Sequence, residues 1–345
     1  MTMSGTTVEQ KEIERIFVGF AVEAKKQFTS NFQKPKKKVI VLAGPTAVGK
    51  SHFALELAKM IDGSIISADS MQVYKGMDIG TAKPSKDERD EIPHYLIDTR
   101  TISDPFNVVD FYYEARHCCQ QILSEQRVPI IVGGSGFYIH SLIYGPPSGP
   151  PPVPELRKSL EEEIEKLGSE VLYERLRILD PQYANTITKK DKQKIVRALE
   201  ILTLTGKKVS KLSWKGRKRP QNYDFRCWFV FRPREELYQR IEKRCDEMLS
   251  AGLIEEVARL VEQGLSENTS AAQAIGYRQA IDFLNSARTN DDYAKFVKAF
   301  KQASRNYAKR QFTWFKKEEI FRPLDLDMHD PEVALEMVRQ DFELL

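Results

Sequence analysis

The chain has 345 residues, 41% of them apolar, a formal net charge of +4, and only four cysteines and five histidines. This length allows two domains, or one large domain with an insertion, around a real hydrophobic core. The cysteines form no CxxC pair and the histidines are scattered, and no apolar run approaches the ~18 residues that span a bilayer. The composition therefore argues against a zinc protein or a membrane protein and, with no signal-peptide pattern, predicts a protein of the reducing cytoplasm.

The first element in the chain is a predicted buried strand at 39–43, followed by a P-loop pattern with the spacing GxxxxGKS. This pattern is typical of ATP-binding and other nucleotide-binding proteins. Glycines let the backbone wrap around an anion, and the helix predicted at 52–60 directs its positive dipole end at the same point. Lys50 adds a mobile charge, and the Ser51 hydroxyl can bind Mg²⁺. The sequence thus predicts a phosphate or diphosphate site formed by Gly44, Pro45, Thr46, Ala47, Val48, Gly49, Lys50 and Ser51.

A second predicted strand, 64–68, ends at Asp69. Ligands of open parallel sheets bind at the carboxyl ends of the strands, so we expect Asp69 to lie near the phosphate site. The structural alternative for this residue is a helix N-cap. Its position after a strand favours a functional role.

The predicted strand at 128–132 leads into the run 133–138, Gly-Gly-Ser-Gly-Phe-Tyr. Between Asp69 and this strand we predict a polar loop at 75–84, a short strand at 93–98 and a helix at 108–125. In many P-loop NTPases a strand ends in a carboxylate that binds Mg²⁺ for phosphoryl transfer. Glycines and a serine stand here instead, which favours a phosphate site that does not serve nucleotide hydrolysis.

Residues 145–154 are rich in proline and glycine and predict a stiff linker. Helices at 155–167, 169–179 and 191–205 follow, then a strand at 225–231, a helix at 235–251 and further helices to the end of the chain. We therefore predict an α/β fold, with a P-loop NTPase-like core, a mostly parallel sheet and a helical insertion domain. The predicted organisation is an N-terminal extension (1–37), the first part of the core (38–144), a helical insertion (145–220), the second part of the core (221–320) and a C-terminal tail (321–345).

Two stretches, 207–219 and 298–317, each combine seven lysines and arginines with aromatic residues and contain no acid. Cations screen backbone phosphates, and aromatic rings stack on exposed bases. One such run would be read as a solvated face, but two of them in a slightly basic protein predict nucleic-acid binding. Arg240 and Arg244 share a helix face as well. They could form surface pairs with Glu236 and Glu247, or a fork onto a diphosphate.

Several segments together resemble the bacterial tRNA dimethylallyltransferases, also called tRNA isopentenyltransferases. The resemblance is carried by the P-loop and by the segments 69–84, 93–94, 133–138, 275–278 and 308–311. It implies transfer of a dimethylallyl group from dimethylallyl diphosphate to the N6 amine of adenosine 37 in the anticodon stem-loop of tRNA, with Mg²⁺ as cofactor and release of diphosphate. It also implies that the helical insertion (145–220) binds tRNA. We expect the protein to be a monomer. The family often has threonine where this chain has Ser135, and the N-terminal extension is not part of the common bacterial pattern.

The resemblance also assigns roles. Asp69 matches the general base, Arg244 and Lys50 match groups that act on the diphosphate, the P-loop residues match the donor site, and Ser51 matches the metal ligand. The positions that it places against tRNA are Asp69, Ser70, Met71, Gln72, Ser135, Arg157, Gln193, Arg197, Ala274, Gly276, Tyr277, Arg278, Arg305, Lys309 and Arg310.

Three alternatives remain open at this stage. One is a P-loop kinase that phosphorylates a small molecule. Such a kinase would have the same loop and α/β core, but this alternative does not explain the two runs of basic and aromatic residues. An isopentenyltransferase that acts on free AMP or ADP shares the donor chemistry. A non-catalytic RNA-binding module leaves Asp69 without a role.

Overall fold

A computed structural model of the chain describes residues 37–212 and 222–344. Six strands form one parallel sheet in the order β3-β2-β4-β1-β5-β6. The strands are β1 (Lys37–Ala43), β2 (Gly63–Ala68), β3 (His94–Tyr95), β4 (Val128–Gly133), β5 (Tyr223–Phe231) and β6 (Arg322–Asp325). Parallel strands are connected by crossovers, so helices cover both faces of such a sheet and its strands are apolar throughout. The predicted α/β fold with a mostly parallel sheet is confirmed.

Thirteen α-helices lie in the described ranges. They are α1 (Lys50–Met60), α2 (Lys86–Glu91), α3 (Val108–Ser124), α4 (Gly136–Tyr144), α5 (Pro154–Leu167), α6 (Ser169–Leu179), α7 (Pro181–Ala184), α8 (Lys192–Thr205), α9 (Arg234–Ser250), α10 (Leu253–Glu262), α11 (Tyr277–Leu284), α12 (Asn290–Phe315) and α13 (Pro331–Glu343). Along these ranges, none of the helices combines the length and the apolar character that crossing a bilayer requires.

The insertion has its own small hydrophobic core. Helices α5 to α8 pack against one another, and their buried side chains form a cluster separate from the core around the sheet, with Leu160, Ile164, Leu172, Leu176 and Ile195 among its members. The helical apolar spacing of this region is what predicts such packing. The helices predicted at 155–167, 169–179 and 191–205 are confirmed.

Two elements differ from the sequence-based expectation. The strand predicted at 93–98 is paired only at His94–Tyr95, because Leu96 and Asp98 take positive φ values of 61° and 55° that turn the chain out of the sheet. The prediction of helices alone after residue 235 is wrong, because the segment predicted as a C-terminal tail contributes strand β6 and the packed helix α13. Asp341 of α13 accepts a hydrogen bond from Trp228 Nε1 at 3.1 Å and pairs with Arg226 on β5.

Some predictions lie outside the described residues. They concern the N-terminal extension up to residue 36 and the part of the first basic run at 213–219, which contains Trp214 and four of its cations.

Candidate active site

Three cavities meet at the carboxyl end of the sheet. Their volumes are about 290, 90 and 290 Å³, and we name them the first, second and third cavity in that order. Asp69 and Thr46 line the first and second, Lys50 and Ser51 line the second and third, and Arg244 lines all three. The structure therefore brings the P-loop, the end of β2 and helix α9 to one place, as the sequence predicts for Asp69.

Two arginines donate hydrogen bonds to backbone carbonyls of the P-loop. Arg240 Nε donates to Ala47 O at 2.9 Å, and Arg232 Nε donates to Val48 O at 3.0 Å. These bonds orient the peptide carbonyls outward. The two arginines of α9 thus differ in their surroundings: Arg240 supports the P-loop backbone and lines only the third cavity, while Arg244 lines all three.

Charged groups of both signs share this site. Burial and the neighbouring Arg244 lower the pKa of Lys50 to about 7, and Asp69 partly offsets that effect. Burial also lowers the pKa of Arg244, and Asp69 opposes the shift. Lys50 Nζ donates to Pro45 O at 2.6 Å, which holds the ammonium at the loop. Two cations face one carboxylate here, so the site is suited to an anionic ligand.

Asp69 caps a turn and not a helix. Its Oδ1 accepts the Met71 N–H at 2.8 Å, which is the geometry of an Asx turn. Tyr307, on α12, lies beside Ser135 and lines the first and second cavities. Burial, together with the Asp69 carboxylate, raises the pKa of Tyr307 to about 12, so its hydroxyl stays protonated at neutral pH.

The residues predicted to contact tRNA fall into two groups around this site. The first group lies at or near the cavities: Ser70, Met71, Ala274, Tyr277 and Arg310 line the first cavity, Gln72 lines the second, and Ser135 lies beside Tyr307. Arg278 and Lys309 are exposed, whereas Gly276 is buried. Arg305 pairs with Glu242 at 2.6 Å. The side chain of Tyr277 is 0% exposed, so it serves as a cavity wall rather than as an exposed contact.

The second group belongs to the insertion and does not line the three cavities. Arg157 and Arg197 both bind the buried carboxylate of Glu200, at 2.8 and 2.6 Å. Arg197 Nη2 also donates to Pro150 O at 2.6 Å, and Glu200 Oε1 accepts the Val153 N–H at 2.8 Å. This cluster fastens the proline-rich linker to α8. The third member, Gln193, is exposed on the same helix.

Glu256 is a site residue that the sequence analysis misses. Its buried carboxylate accepts the N–H groups of Asp78, Ile79 and Gly80 at 3.0, 2.8 and 3.2 Å, and the hydroxyl of Tyr277 at 2.5 Å. Gly80 is required, because a Cβ there would lie 2.4 Å from the Tyr277 ring. These contacts form one wall of the first cavity. The signal in the sequence is an acid on the otherwise apolar buried face of α10.

Replacing Glu256 with alanine should lower the free energy of unfolding by about 3–5 kcal/mol, because three N–H groups and a hydroxyl lose a buried charged partner. Glu256→Gln keeps one carbonyl oxygen as acceptor and should cost less. The exposed neighbour Glu255 offers a matched control, and Glu255→Ala should stay within about 0.5 kcal/mol. Urea unfolding measures all three. If Glu255→Ala and Glu256→Ala have the same free energy of unfolding, this wall of the first cavity does not depend on the Glu256 carboxylate.

Comparison with known proteins gives the family. The IPP transferase family model matches residues 72–318. A tRNA dimethylallyltransferase of Protochlamydia amoebophila is 66% identical over 337 residues, which covers 98% of each chain. The protein of the same name from Chlamydia felis is 49% identical over 324 residues, covering 94% of each chain.

Solved structures agree with these relatives. The tRNA isopentenylpyrophosphate transferase of Bacillus halodurans superimposes with a TM-score of 0.66 at 34% identity, covering 89% of this chain and 97% of that one. A eukaryotic dimethylallyltransferase described as acting on tRNA superimposes with a TM-score of 0.68 at 30% identity, covering 84% of this chain and 73% of that one. The chain therefore belongs to the IPP transferase family, the tRNA dimethylallyltransferases.

Proposed function

We propose that the chain transfers the dimethylallyl group of dimethylallyl diphosphate to the N6 amine of adenosine 37 in the tRNA anticodon loop, with release of diphosphate. One observation carries this proposal. Asp69 and Arg244 both line the first cavity and also the second cavity, which Lys50 and Ser51 of the P-loop line as well. A base and an anion-binding group thus face each other where two substrates can meet.

The second and third cavities suit the donor. Lys50, Ser51 and Arg244 line both of them and would bind the diphosphate with the N–H groups of the P-loop. Apolar side chains from α1, β2 and β4, namely Ala54, Ile65 and Val132, line the second cavity. They offer a surface for a five-carbon chain, which has no hydrogen-bonding group to satisfy.

Mg²⁺ fits the oxygen groups present. The Ser51 hydroxyl and the Asp69 carboxylate line the same cavity, and hard oxygen ligands are those that Mg²⁺ prefers. Within the described ranges, no cluster of three or more His, Cys, Asp or Glu side chains could hold a metal ion, so most ligands would come from substrate phosphate and water. The Ser51 hydroxyl would hold the ion, which would supply positive charge against the diphosphate.

The first cavity suits the acceptor. An adenine exocyclic amine is a weak nucleophile, because its lone pair is delocalised into the ring. Asp69 would take the amine proton while the new C–N bond forms, and the diphosphate would leave with the electron pair of the broken C–O bond. Met71, Tyr277 and Phe300 line the cavity and provide apolar and aromatic surface for the base. A stacked base cannot reach this cavity, so adenosine 37 must be flipped out of the anticodon loop.

The decisive experiment incubates the protein and Mg²⁺ with labelled dimethylallyl diphosphate and either tRNA, AMP or ADP. Digestion of the tRNA should place the label on N6 of adenosine 37, with little label on the free nucleotides. Label on AMP or ADP in the absence of tRNA would instead identify the enzyme as one that acts on free nucleotides. Phosphate transfer from ATP to a small acceptor, measured in parallel, would identify a kinase.

Lys50 should make donor binding dependent on pH. Its pKa of about 7 means that the charged form, which an anion requires, dominates below pH 7 and is lost above it. A terminal phosphate is already ionised above pH 7, so the KM for dimethylallyl diphosphate should rise roughly tenfold between pH 7 and 9. Lys50→Met should give a high KM that does not change over this range. If the KM of the unsubstituted enzyme for dimethylallyl diphosphate does not change between pH 7 and 9, the charge of Lys50 does not control donor binding.

A further inference from the structure

Gln311, on α12, joins two loops of the active site through its amide group. Its Oε1 accepts the Thr46 N–H of the P-loop at 2.9 Å, and its Nε2 donates to Gly134 O, after β4, at 3.0 Å. The side chain is only 5% exposed and lines the second cavity. Since β1 and β4 are paired neighbours in the sheet, the amide bridges the ends of two adjacent strands.

The space for this bridge is tight. A Cβ at Gly134 would lie 2.0 Å from Gln311 Nε2 and 3.1 Å from Gly44 O. Any side chain at position 134 therefore displaces the amide of Gln311. The Thr46 N–H donates to Gln311 as well, so α12 orients this part of the P-loop.

Helix α12 also reaches the outer side of the site. Tyr307 lines the first and second cavities, Arg310 lines the first, and Lys309 is exposed beside it. With 26 residues, the helix is about 39 Å long. Its inner face carries Gln311, and its outer face carries cations that are candidates for tRNA contact.

We propose that Gln311 is a positioning residue that fixes the P-loop in the orientation needed for the diphosphate and ties that loop to the helix carrying the cations. It acts through Thr46 and Gly134 and does not touch RNA. This inference rests on the proposed function and deepens it, because the family resemblance covers Gln311 only as part of a segment near tRNA.

The test uses Gln311→Met, which keeps the length of the side chain but makes neither hydrogen bond. Loss of two hydrogen bonds that hold the anion site should raise the KM for dimethylallyl diphosphate roughly tenfold or more. The inhibition constant of inorganic diphosphate should rise in parallel. The KM for tRNA should change by less than about twofold, because no RNA contact is removed. Gln121→Met, on the exposed side of α3, is the matched control and should leave all three constants unchanged.

Gly134→Ala provides a second, independent way to displace the amide. It should also raise the KM for dimethylallyl diphosphate. The variant that combines Gln311→Met with Gly134→Ala should have a KM no higher than that of the stronger single variant, because both substitutions act on one contact. If either variant fails to fold in a thermal melt, Gln311→Asn, whose amide is too short to reach both partners, replaces it. A rise in the tRNA KM with an unchanged donor KM, or additive effects in the double variant, would overturn the inference. The proposed function is tested separately, by label transfer with the unsubstituted enzyme.

Discussion

Asp69→Asn should lower kcat for dimethylallyl transfer by about 10²–10⁴-fold, the range expected for loss of a general base. Asparagine keeps an oxygen that can accept the Met71 N–H, so the turn that Asp69 caps is preserved. It cannot accept the proton of the adenine amine. The substitution thus removes the chemistry and keeps the local structure.

Single-turnover rates with prebound tRNA and saturating donor measure this effect directly. The Kd for tRNA should change by less than about twofold, since a base acts mainly in the transition state. Asp87→Asn, an exposed acid in the first turn of α2, is the matched control and should retain full activity. A rate within a few-fold of the unsubstituted enzyme would remove Asp69 from the role of base.

Arg244→Gln should lower kcat by about 10²–10³-fold, comparable to the loss of one preorganised group that stabilises developing charge. Arg244 lines all three cavities, so it borders both the donor side and the acceptor side of the site. Negative charge grows on the diphosphate as the C–O bond breaks, and the partly buried Arg244 interacts with it strongly, because less water screens the pair than at the surface.

Arg244→Lys separates charge from geometry. Lysine keeps the positive charge but loses the two-pronged fork, so we expect partial activity, between the glutamine variant and the unsubstituted enzyme. Arg259→Gln, an exposed arginine on α10, is the control. Equal rates for the Arg244 and Arg259 variants in the single-turnover assay would show that Arg244 does not act on the leaving group.

The local parts of the site can be predicted from the sequence, because their chemistry depends on neighbours in the chain. The P-loop is a turn between a strand and a helix, and its glycines and Lys50 lie within a few residues of each other. Asp69 is placed by a general rule of parallel sheets, that strand ends share one edge. The helical insertion follows from the apolar spacing of its helices together with the proline-rich linker.

The sequence cannot separate residues that have the same chemistry and different surroundings. Arg240 and Arg244 share one helix face, and only packing decides that the first supports a P-loop carbonyl while the second reaches the first and second cavities. Arg157 and Arg197 resemble free cations in the sequence, but both bind the buried Glu200. Strand β6 is short and half polar, so its membership of the sheet depends on pairing with β5.

By itself, the sequence determined the chemistry of this protein: an anion-binding loop, an acid at the end of the next strand along the chain, and a set of motifs that identify the family. The tertiary structure alone decided what holds that chemistry in place. Glu256 binds a loop 176–178 residues earlier in the chain, and Gln311 binds Thr46 across 265 residues. Such contacts leave no periodic signal, because their hydrogen-bonding partners become neighbours only when the sheet and its helices have packed.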